Sequence, residues 1–288
     1  MAPGNLTIER VKDFFSNASM YEKLVGETTA RLAADALSHL PLSTYTSTSR
    51  ILDSACGPGI VTRLLLSPCP ATISAPGLPI NPPPQVTGVD ISEQMIELYK
   101  TNASTLGWTT TETFVQNAQD LSRFPDATFD AVVISLALFA FPDAVAGAKE
   151  MYRVLKPGGH AVVTTWKVTR PHTLMTSVAE SIHPGGAVMD IEPKWYTSEH
   201  LASVMKDGGF KAENVQLSES TPNWNHASLD DLMEAFQAPM WKGQYCKGWS
   251  EEETAKWLKE VTNQLTTKEK ESATLEMVAH VCVAQKEH

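Results

Sequence analysis

The chain has few cysteines, no cluster of basic residues and no long apolar run. Its four cysteines lack the short spacings of a metal site, and nothing in the sequence pairs them as disulfides. Its 23 basic residues are outnumbered by 33 acidic ones and are dispersed, so a nucleic-acid-binding surface is not expected. No uninterrupted apolar stretch approaches the ~20 residues of a membrane span, and the first residues do not resemble a signal peptide. We therefore expect a cytoplasmic protein without metal, membrane or nucleic-acid partners.

The chain alternates strand-like and helix-like segments between residue 51 and about residue 166, which predicts a parallel sheet built from βαβ units. Beyond this stretch, residues 169–195 read as an irregular segment, and helices are expected near 198–206, 228–240 and 250–264. One or two helices are expected within the first 40 residues. The expected strands are residues 50–53, 86–90, 113–116, 129–135, 160–166, 213–219 and 275–284.

Residues 51–62 form the most informative segment, Ile-Leu-Asp-Ser-Ala-Cys-Gly-Pro-Gly-Ile-Val-Thr. A short apolar strand ends in Asp53, and a turn of small residues then leads into a helix, so a ligand can approach the backbone N–H groups closely. A carboxylate beneath such a turn repels a pyrophosphate but suits a ligand that carries an amine and a sulfonium. The third glycine of a dinucleotide-binding loop and the lysine of a P-loop are both missing. A plain tight turn remains the structural alternative.

A second carboxylate, Asp90, ends the next predicted strand. It lies 37 positions after Asp53, but 19 of these belong to the proline-rich segment 67–85, which we interpret as an inserted surface loop. The remaining 18 positions are close to the roughly 20 expected for an acid that binds ribose hydroxyls. Alternatively, Asp90 lies on the surface and caps the helix that starts near Ser92.

With these two motifs the sequence resembles the class I S-adenosylmethionine-dependent methyltransferases, in the group of small-molecule enzymes that includes the ubiquinone and menaquinone C-methyltransferases. Three further segments in the same order support the resemblance, which is strong over residues 48–166. The five matching segments are residues 52–59, 88–95, 117–121, 129–132 and 153–159. The resemblance implies a Rossmann-like α/β fold with a mostly parallel seven-stranded sheet, helices on both faces and a helical lid. It also implies S-adenosylmethionine as the cofactor.

The resemblance further assigns residues to parts of the cofactor. The methionine portion would be held by Asp53, Ala55, Gly57 and Gly59, and the ribose hydroxyls by Asp90. The adenine would contact Ile91, Met95, Asn117, Ala118 and Gln119, while Ser135 and Leu136 would line the sulfonium and amine. Two of these residues depart from the usual pattern, because Ala55 replaces a glycine and Asn117 replaces an aspartate.

The acceptor is harder to infer. His172, His183 and His226 are candidate general bases, although each is also typical of a surface or lid histidine. The second half of the chain is rich in aromatic residues, which could line an apolar acceptor pocket or form the core of the cap itself. These aromatic residues are Trp166, Trp195, Tyr196, Trp224, Phe236 and Trp241.

We therefore expect an N-terminal helical lid over residues 1–48 and a methyltransferase domain over 49–288, with cap elements at 169–196 and 222–270. The expected reaction is O-methylation of a small organic acceptor, and by analogy the chain resembles a fungal enzyme that tailors secondary metabolites. Two alternatives remain open. The protein could bind the cofactor while catalysing a cyclisation or rearrangement, or it could act as a methyltransferase-like regulator.

Overall fold

A seven-stranded sheet lies at the centre of the computed structural model, which describes residues 18–186 and 191–288. The strand order is β3-β2-β1-β4-β5-β9-β6, and β9 runs antiparallel to both of its neighbours while the remaining pairs are parallel. This confirms the predicted α/β fold with a mostly parallel seven-stranded sheet. The strands of the described residues are β1 (Arg50–Ser54), β2 (Gln85–Asp90), β3 (Thr111–Val115), β4 (Phe129–Ser135), β5 (Leu155–Thr169), β6 (Val215–Ser220), β7 (Trp224–Asn225), β8 (Thr274–Leu275) and β9 (Met277–Gln285).

Helices cover both faces of the sheet and extend beyond one edge. Several begin at side chains that accept a hydrogen bond from the first turn, as Ser92 does from the Met95 N–H and Asp143 from the Ala146 N–H. The helices of the described residues are α1 (Ala18–Ser38), α2 (Ile60–Leu66), α3 (Glu93–Leu106), α4 (Ala144–Val154), α5 (Arg170–Ile182), α6 (Ser198–Asp207), α7 (Leu229–Phe236), α8 (Pro239–Tyr245), α9 (Glu251–Gln264) and α10 (Thr267–Ser272).

The central strands are apolar on both faces because helices cover both sides of the sheet. Successive residues point to opposite faces, so Leu52 packs with α4 and α6 while Ile51 packs with α1 and α2. Part of the N-terminal stretch predicted to be helical, including Phe14 and Phe15, lies outside the described residues. Within the described part, α1 contributes Leu32 and Leu37, both fully buried, to the second face.

A third apolar core belongs to the cap, which we define as α5, β7, α7–α10 and β8. Its central side chains are fully buried, and they include Val178, Leu232, Phe236 and Trp257. The Nε1–H of Trp257 donates a hydrogen bond to the Phe236 carbonyl, so its one polar atom is satisfied inside this core. The cap therefore has packing of its own and does not depend on the sheet for a hydrophobic interior.

The structure differs from the sequence-based expectation in four segments. Residues 170–182, expected to be irregular, form α5, because Leu174, Met175, Val178 and Ala179 recur with helical spacing and are buried. The helix expected over 228–240 is two helices, interrupted before Pro239, whose ring removes a helical hydrogen bond.

The other two differences concern the strand β5 and the insertion. Strand β5 starts at Leu155 and passes through Gly158 with an irregularity in its register, instead of starting at His160. The segment 67–85 contains no helix or regular strand before Gln85, but it is not only a surface loop, because Ile73 and Ile80 are buried against α1 and α2.

Candidate active site

A cavity of about 320 Å³ opens at the carboxyl ends of the parallel strands, where ligands of open α/β sheets bind. We call its two parts the cofactor end and the cap end. The cofactor end consists of Asp53, Ala55, Cys56, Gly57, Pro58, Asp90, Ile91, Ser92, Met95, Asn117, Ala118 and Gln119. The cap end consists of Trp166, Thr169, His172, Met175, Trp224, Trp241, Gln244, Tyr245 and Met277.

The turn after β1 needs three residues in the left-handed region of backbone space. Their φ angles are +55° at Ala55, +53° at Gly57 and +89° at Gly59. Glycine reaches this region without strain, whereas an L-residue such as Ala55 carries a cost of roughly 1–2 kcal/mol. This explains why a glycine is usual at the position of Ala55.

The two glycines of the turn have different surroundings. A Cβ at Gly57 would meet nothing nearer than the Met95 sulfur at 4.0 Å, so this face of the turn is open to a ligand. A Cβ at Gly59 would lie 2.7 Å from the Tyr99 ring, and Gly59 is not part of the cavity wall. Gly59 thus allows α2 to pack against α3, and its predicted contact with the cofactor stays a prediction.

Asp53 lies beneath the turn and is 2% exposed. Its Oδ2 atom accepts hydrogen bonds from the Thr62 N–H (3.1 Å) and from the Thr62 hydroxyl (2.7 Å), and that hydroxyl accepts one from the Tyr99 hydroxyl (3.0 Å). Desolvation raises the pKa of Asp53 to about 7, against the opposing effect of the Thr62 hydrogen bonds. A buried carboxylate with so high a pKa favours a cationic neighbour.

Asp90 lies on the other side of the turn at the end of β2. Its Oδ2 accepts a hydrogen bond from the Gly57 N–H (2.9 Å) and its Oδ1 accepts one from the Ser92 N–H (2.8 Å). Desolvation raises the pKa of Asp90 as well, while these backbone hydrogen bonds lower it. Asp90 therefore lies in the cavity wall and links the turn to the start of α3 through these two hydrogen bonds. Asp90 is half-buried and contacts the start of α3, so its contact with the ribose hydroxyls stays a prediction and its role as a cap of this helix stays open.

Asn117, Ala118 and Gln119 follow β3 and form the side wall of the cofactor end. The Asn117 Oδ1 atom accepts hydrogen bonds from the Gln119 N–H (3.0 Å) and from Gln119 Nε2 (3.2 Å), so the oxygen expected to meet an adenine amine is engaged within the loop. The Gln119 Oε1 atom accepts one from the Asp143 N–H at 2.7 Å. Ile91 and Met95 line the same end of the cavity.

Ser135 and Leu136 end β4 between the two parts of the cavity. The Ser135 hydroxyl is 3.3 Å from the Thr164 hydroxyl, and the Leu136 N–H donates to that same Thr164 oxygen at 3.0 Å. Leu136 is a second non-glycine wall residue with positive φ, at +56°. This local kink turns the chain toward Phe139 and Phe141, which also line the cavity.

Of the three candidate histidines, His172 alone lines the cavity. Its Nδ1 atom is 2.5 Å from the Tyr245 hydroxyl, which joins α5 to α8 across the cap end. His183 pairs with Glu253 at 2.9 Å, and His226 pairs with Asp231 at 3.1 Å, both away from the wall. The geometry thus distinguishes one histidine that a bound acceptor could reach from two that it could not.

The aromatic residues divide between the two roles that the sequence left open. Trp166, Trp224 and Trp241 line the cavity, whereas Trp195, Phe236 and Tyr196 do not. Trp195 is instead buried in the core under the sheet, and Phe236 in the core of the cap. Phe236 and Trp224 therefore belong to the core of the cap, Trp195 belongs to the core of the sheet, and an acceptor pocket lined by Trp166, Trp224 and Trp241 stays a prediction.

Sequence reasoning missed several wall residues. Val25, Thr28 and Thr29 reach the cavity from α1, and Thr169, Met175, Gln244 and Tyr245 reach it from the cap end. The buried helical spacing of Met175 with Val178 was a usable signal, but the positions of Gln244 and Tyr245 depend on the fold of the cap.

Residues 18–186 and 191–288 contain no group of three or more His, Cys, Asp or Glu side chains placed to hold a metal ion. None of their helices combines the length and apolar character needed to cross a bilayer.

Comparison with known proteins agrees with this geometry. Residues 52–163 match the family model described as a methyltransferase domain. Methyltransferase tpcH of Aspergillus fumigatus is 26% identical over 198 residues, covering 68% of this chain and 65% of that protein. The ubiquinone/menaquinone biosynthesis C-methyltransferase of Geotalea daltonii is 32% identical over 127 residues, covering 44% of this chain and 49% of the relative. The chain thus spans about two thirds and about half of the lengths of these relatives.

A solved structure extends the fold comparison to nearly the whole chain. The [4+2]-cyclase SpnF superposes with a TM-score of 0.56 at 17% identity, covering 99% of this chain and 98% of the cyclase. At this identity the similarity shows the fold alone.

Proposed function

We propose that the chain is a class I S-adenosylmethionine-dependent methyltransferase and that it transfers a methyl group from S-adenosylmethionine to an oxygen of a small organic acceptor. The acceptor is proposed to be a secondary metabolite, since the cap adds a separate apolar wall to one end of the cavity.

The cofactor assignment is supported by two carboxylates on either side of an open turn, of which Asp53 is buried and Asp90 is half-buried. Asp53 and Asp90 both have raised pKa values, and no lysine or arginine is among the groups that shift them. A ligand that brings its own ammonium and sulfonium charges offsets the cost of burying these carboxylates. S-Adenosylmethionine supplies an electrophilic methyl group on that sulfonium.

Each residue of the cofactor end has a task in this proposal. Asp53 and the N–H groups of the turn hold the methionine portion. Asp90 gives up part of its hydrogen bonding to backbone N–H groups and accepts hydrogen bonds from the ribose hydroxyls instead. Ile91 and Met95 contact one side of the adenine, and the loop from Asn117 to Gln119 contacts its edge. Because Asn117 is engaged by Gln119, the backbone of this loop supplies the adenine contact rather than the Asn117 amide oxygen.

At the cap end, His172 is the proposed proton acceptor for the hydroxyl that is methylated. It lies in the wall, and Tyr245 fixes the orientation of its ring through Nδ1. Methyl transfer depends mainly on proximity, orientation and exclusion of water. The cap and α1 provide the exclusion of water, and residues 1–48 are proposed to act with the cap as a lid.

The first experiment is calorimetric titration with S-adenosylhomocysteine and, separately, with NAD. We expect binding of S-adenosylhomocysteine and none of NAD, because the turn lacks the third glycine of a dinucleotide loop and places a carboxylate beneath it. Binding of NAD without a response to S-adenosylhomocysteine would refute the proposal.

A second candidate function is a rearrangement without methyl transfer, which the similarity to a cyclase over nearly the entire chain supports. Mass spectrometry of the protein incubated with S-adenosylmethionine and a metabolite extract separates the two. Methyl transfer adds the mass of one methylene to the acceptor and produces S-adenosylhomocysteine. A rearrangement leaves the mass of the metabolite unchanged and consumes no cofactor.

A further inference from the structure

The described wall of the cavity carries its charges at one end only. Asp53 and Asp90 are its Asp and Glu members, both belong to the cofactor end, and no described lysine or arginine lines it. The cap end presents one titratable nitrogen base, His172. An acceptor that carried a phosphate, a carboxylate or an ammonium group would have to leave that charge unpaired at the cap end, which is strongly unfavourable in a desolvated site.

The apolar surface of the cap end is aromatic and sulfur-rich rather than aliphatic. Trp224 and Trp241 stand at 83° to each other with ring centroids 6.5 Å apart, so they present surfaces at right angles to each other. Met175 and Met277 complete this wall. Planar aromatic rings gain from edge-to-face contacts with such rings and from contacts with methionine sulfur, beyond the area they bury.

Neutral polar atoms are placed among these apolar surfaces. The Thr169 hydroxyl is buried and has no hydrogen-bond partner, in a residue that is 5% exposed. The Gln244 side chain, which comes from α8, also lines the cap end, as do the paired His172 and Tyr245. A buried hydroxyl without a partner is costly, and a neutral oxygen on the ligand would satisfy it.

From these three observations we infer that the acceptor is an uncharged hydroxylated aromatic compound, bound with its ring against Trp224 and Trp241 and its oxygen atoms toward Thr169, Gln244 and the His172–Tyr245 pair. This inference rests on the proposed function for the identity of the reaction, but not for the chemistry of the pocket. A saturated polycyclic alcohol fits the neutral polar atoms but loses the aromatic contacts. Anionic and cationic aromatic compounds keep the aromatic contacts but bring unpaired charge.

The test uses four small compounds of similar size: 2-naphthol, 2-decalol, 2-naphthyl phosphate and 2-naphthylmethylamine. Each is titrated calorimetrically into the full chain, both alone and saturated with S-adenosylhomocysteine. We expect 2-naphthol to bind at least tenfold more tightly than 2-decalol, and the two charged compounds to bind at least tenfold more weakly than 2-naphthol. Equal or tighter binding of a charged compound, equal binding of 2-decalol, or no binding of 2-naphthol at millimolar concentration would each overturn the inference.

Two variants locate the binding site. Trp241→Leu is expected to weaken 2-naphthol binding at least fivefold, because Trp241 lines the cap end. Trp249→Leu is the matched control, because Trp249 is a half-buried cap tryptophan that packs against Trp257 and does not line the cavity. Equal effects of the two substitutions would show that 2-naphthol binds elsewhere and would overturn the inference.

The cofactor titration separates this inference from the proposed function. If S-adenosylhomocysteine does not bind while 2-naphthol shows the expected preferences, the proposed methyl transfer fails and the pocket chemistry stands. If S-adenosylhomocysteine binds and the four compounds do not show the expected order, the acceptor class is wrong and the cofactor assignment stands.

Discussion

The two ends of the cavity are built in different ways. The cofactor end is formed by turns that follow β1, β2 and β3, where backbone N–H groups and two carboxylates meet within short stretches of chain. The cap end combines side chains from β5, α5, β7, α8 and β9, which are separated by more than 100 positions in sequence. The first end depends on local backbone geometry, and the second depends on how a separately packed set of helices rests on the sheet edge. Ligand binding at one end should therefore respond to mutations that leave the other unaffected.

The strongest challenge to this separation is deletion of residues 1–25. It removes Leu24, whose carbonyl accepts the Trp224 indole hydrogen bond at 3.0 Å, and Val25, which lines the cavity. We expect methyl transfer to be abolished while much of the affinity for S-adenosylhomocysteine remains, as measured by turnover and calorimetry. Hydrogen exchange of the full-length protein should show protection of α1 and the cap when S-adenosylhomocysteine is added. Unchanged turnover after the deletion would mean that this segment only packs.

Replacement of His172 by asparagine tests the cap end alone. Asparagine retains a polar atom near the position of Nδ1 for Tyr245 but removes the imidazole base, so we expect kcat to fall by roughly 10²–10⁴. Cofactor affinity should not change. The measurement is the pH profile of kcat with the acceptor recovered from the extract. His183→Asn is the matched control, since His183 pairs with Glu253 outside the cavity. An identical pH profile in His172→Asn and the unmodified protein would remove His172 from the mechanism.

Asp90→Ala tests the cofactor end. It is expected to weaken S-adenosylhomocysteine binding by about 1.5–3 kcal/mol for each charged hydrogen bond lost, without unfolding the protein. Asp90→Asn keeps an oxygen that can accept from the Gly57 N–H and should lose less. Asp126→Ala is the control, because Asp126 is an exposed partner of Arg153. Calorimetry gives the affinities, and a normal affinity in Asp90→Ala would restrict this residue to its backbone contacts.

The last expected effect is measured without any ligand and is a pH dependence of stability that Asp53 confers. The folded protein binds a proton at Asp53 with a pKa of about 7, while the unfolded chain has the ordinary value of 3.8. This stabilising contribution is complete below the unfolded pKa and is lost as the pH rises through the folded pKa. The difference in unfolding free energy between the unmodified protein and Asp53→Asn should therefore decrease from pH 4 to pH 8, by at most about 1.4 kcal/mol per pH unit.

Urea denaturation without cofactor over this pH range measures the difference. The raised pKa of Asp90 acts with the same sign in both proteins and largely cancels when they are compared. Parallel stability curves would show that the Asp53 carboxyl does not titrate in this range.

The same contrast explains what the sequence could predict. Local patterns predicted several elements and their place relative to the carboxyl ends of the strands. These patterns are the turn from Asp53 to Gly59, the spacing to Asp90 and the apolar run of β4. The alternation of elements predicted a parallel sheet over residues 51–166, and the resemblance to the methyltransferases implied its seven strands. By contrast, nothing in the sequence distinguishes Trp166, Trp195 and Trp241 from one another. Only the tertiary fold buries Trp195 in the core and places Trp166 and Trp241 in the cavity wall.

Other parts could not be predicted because long-range packing overrides local signals. Helix α5 follows directly on β5 and starts with Arg170 and Pro171, so no turn sequence separates the two elements. Arg170 is held by Glu269 from α10 at 2.6 Å, a partner 99 positions away. The buried Ile73 and Ile80 likewise lie in a proline-rich segment whose composition predicts only exposure.

The attachment of the cap to the sheet also has a consequence for protein engineering. The chain enters the cap after Thr169 of β5 and leaves it at Met277 of β9, and these two residues pair with each other in the sheet. The next hydrogen bond beyond this pair runs from the Arg170 N–H to the Glu276 carbonyl (3.0 Å). The intervening chain returns to the sheet through α6 and β6, and β6 ends at Ser220, opposite Ala279 of β9. The cap segments 170–182 and 221–276 therefore meet the sheet at the neighbouring residues Thr169, Ser220 and Met277. We expect that a cap from a relative with another acceptor can be grafted at these junctions without altering the turns of the cofactor end.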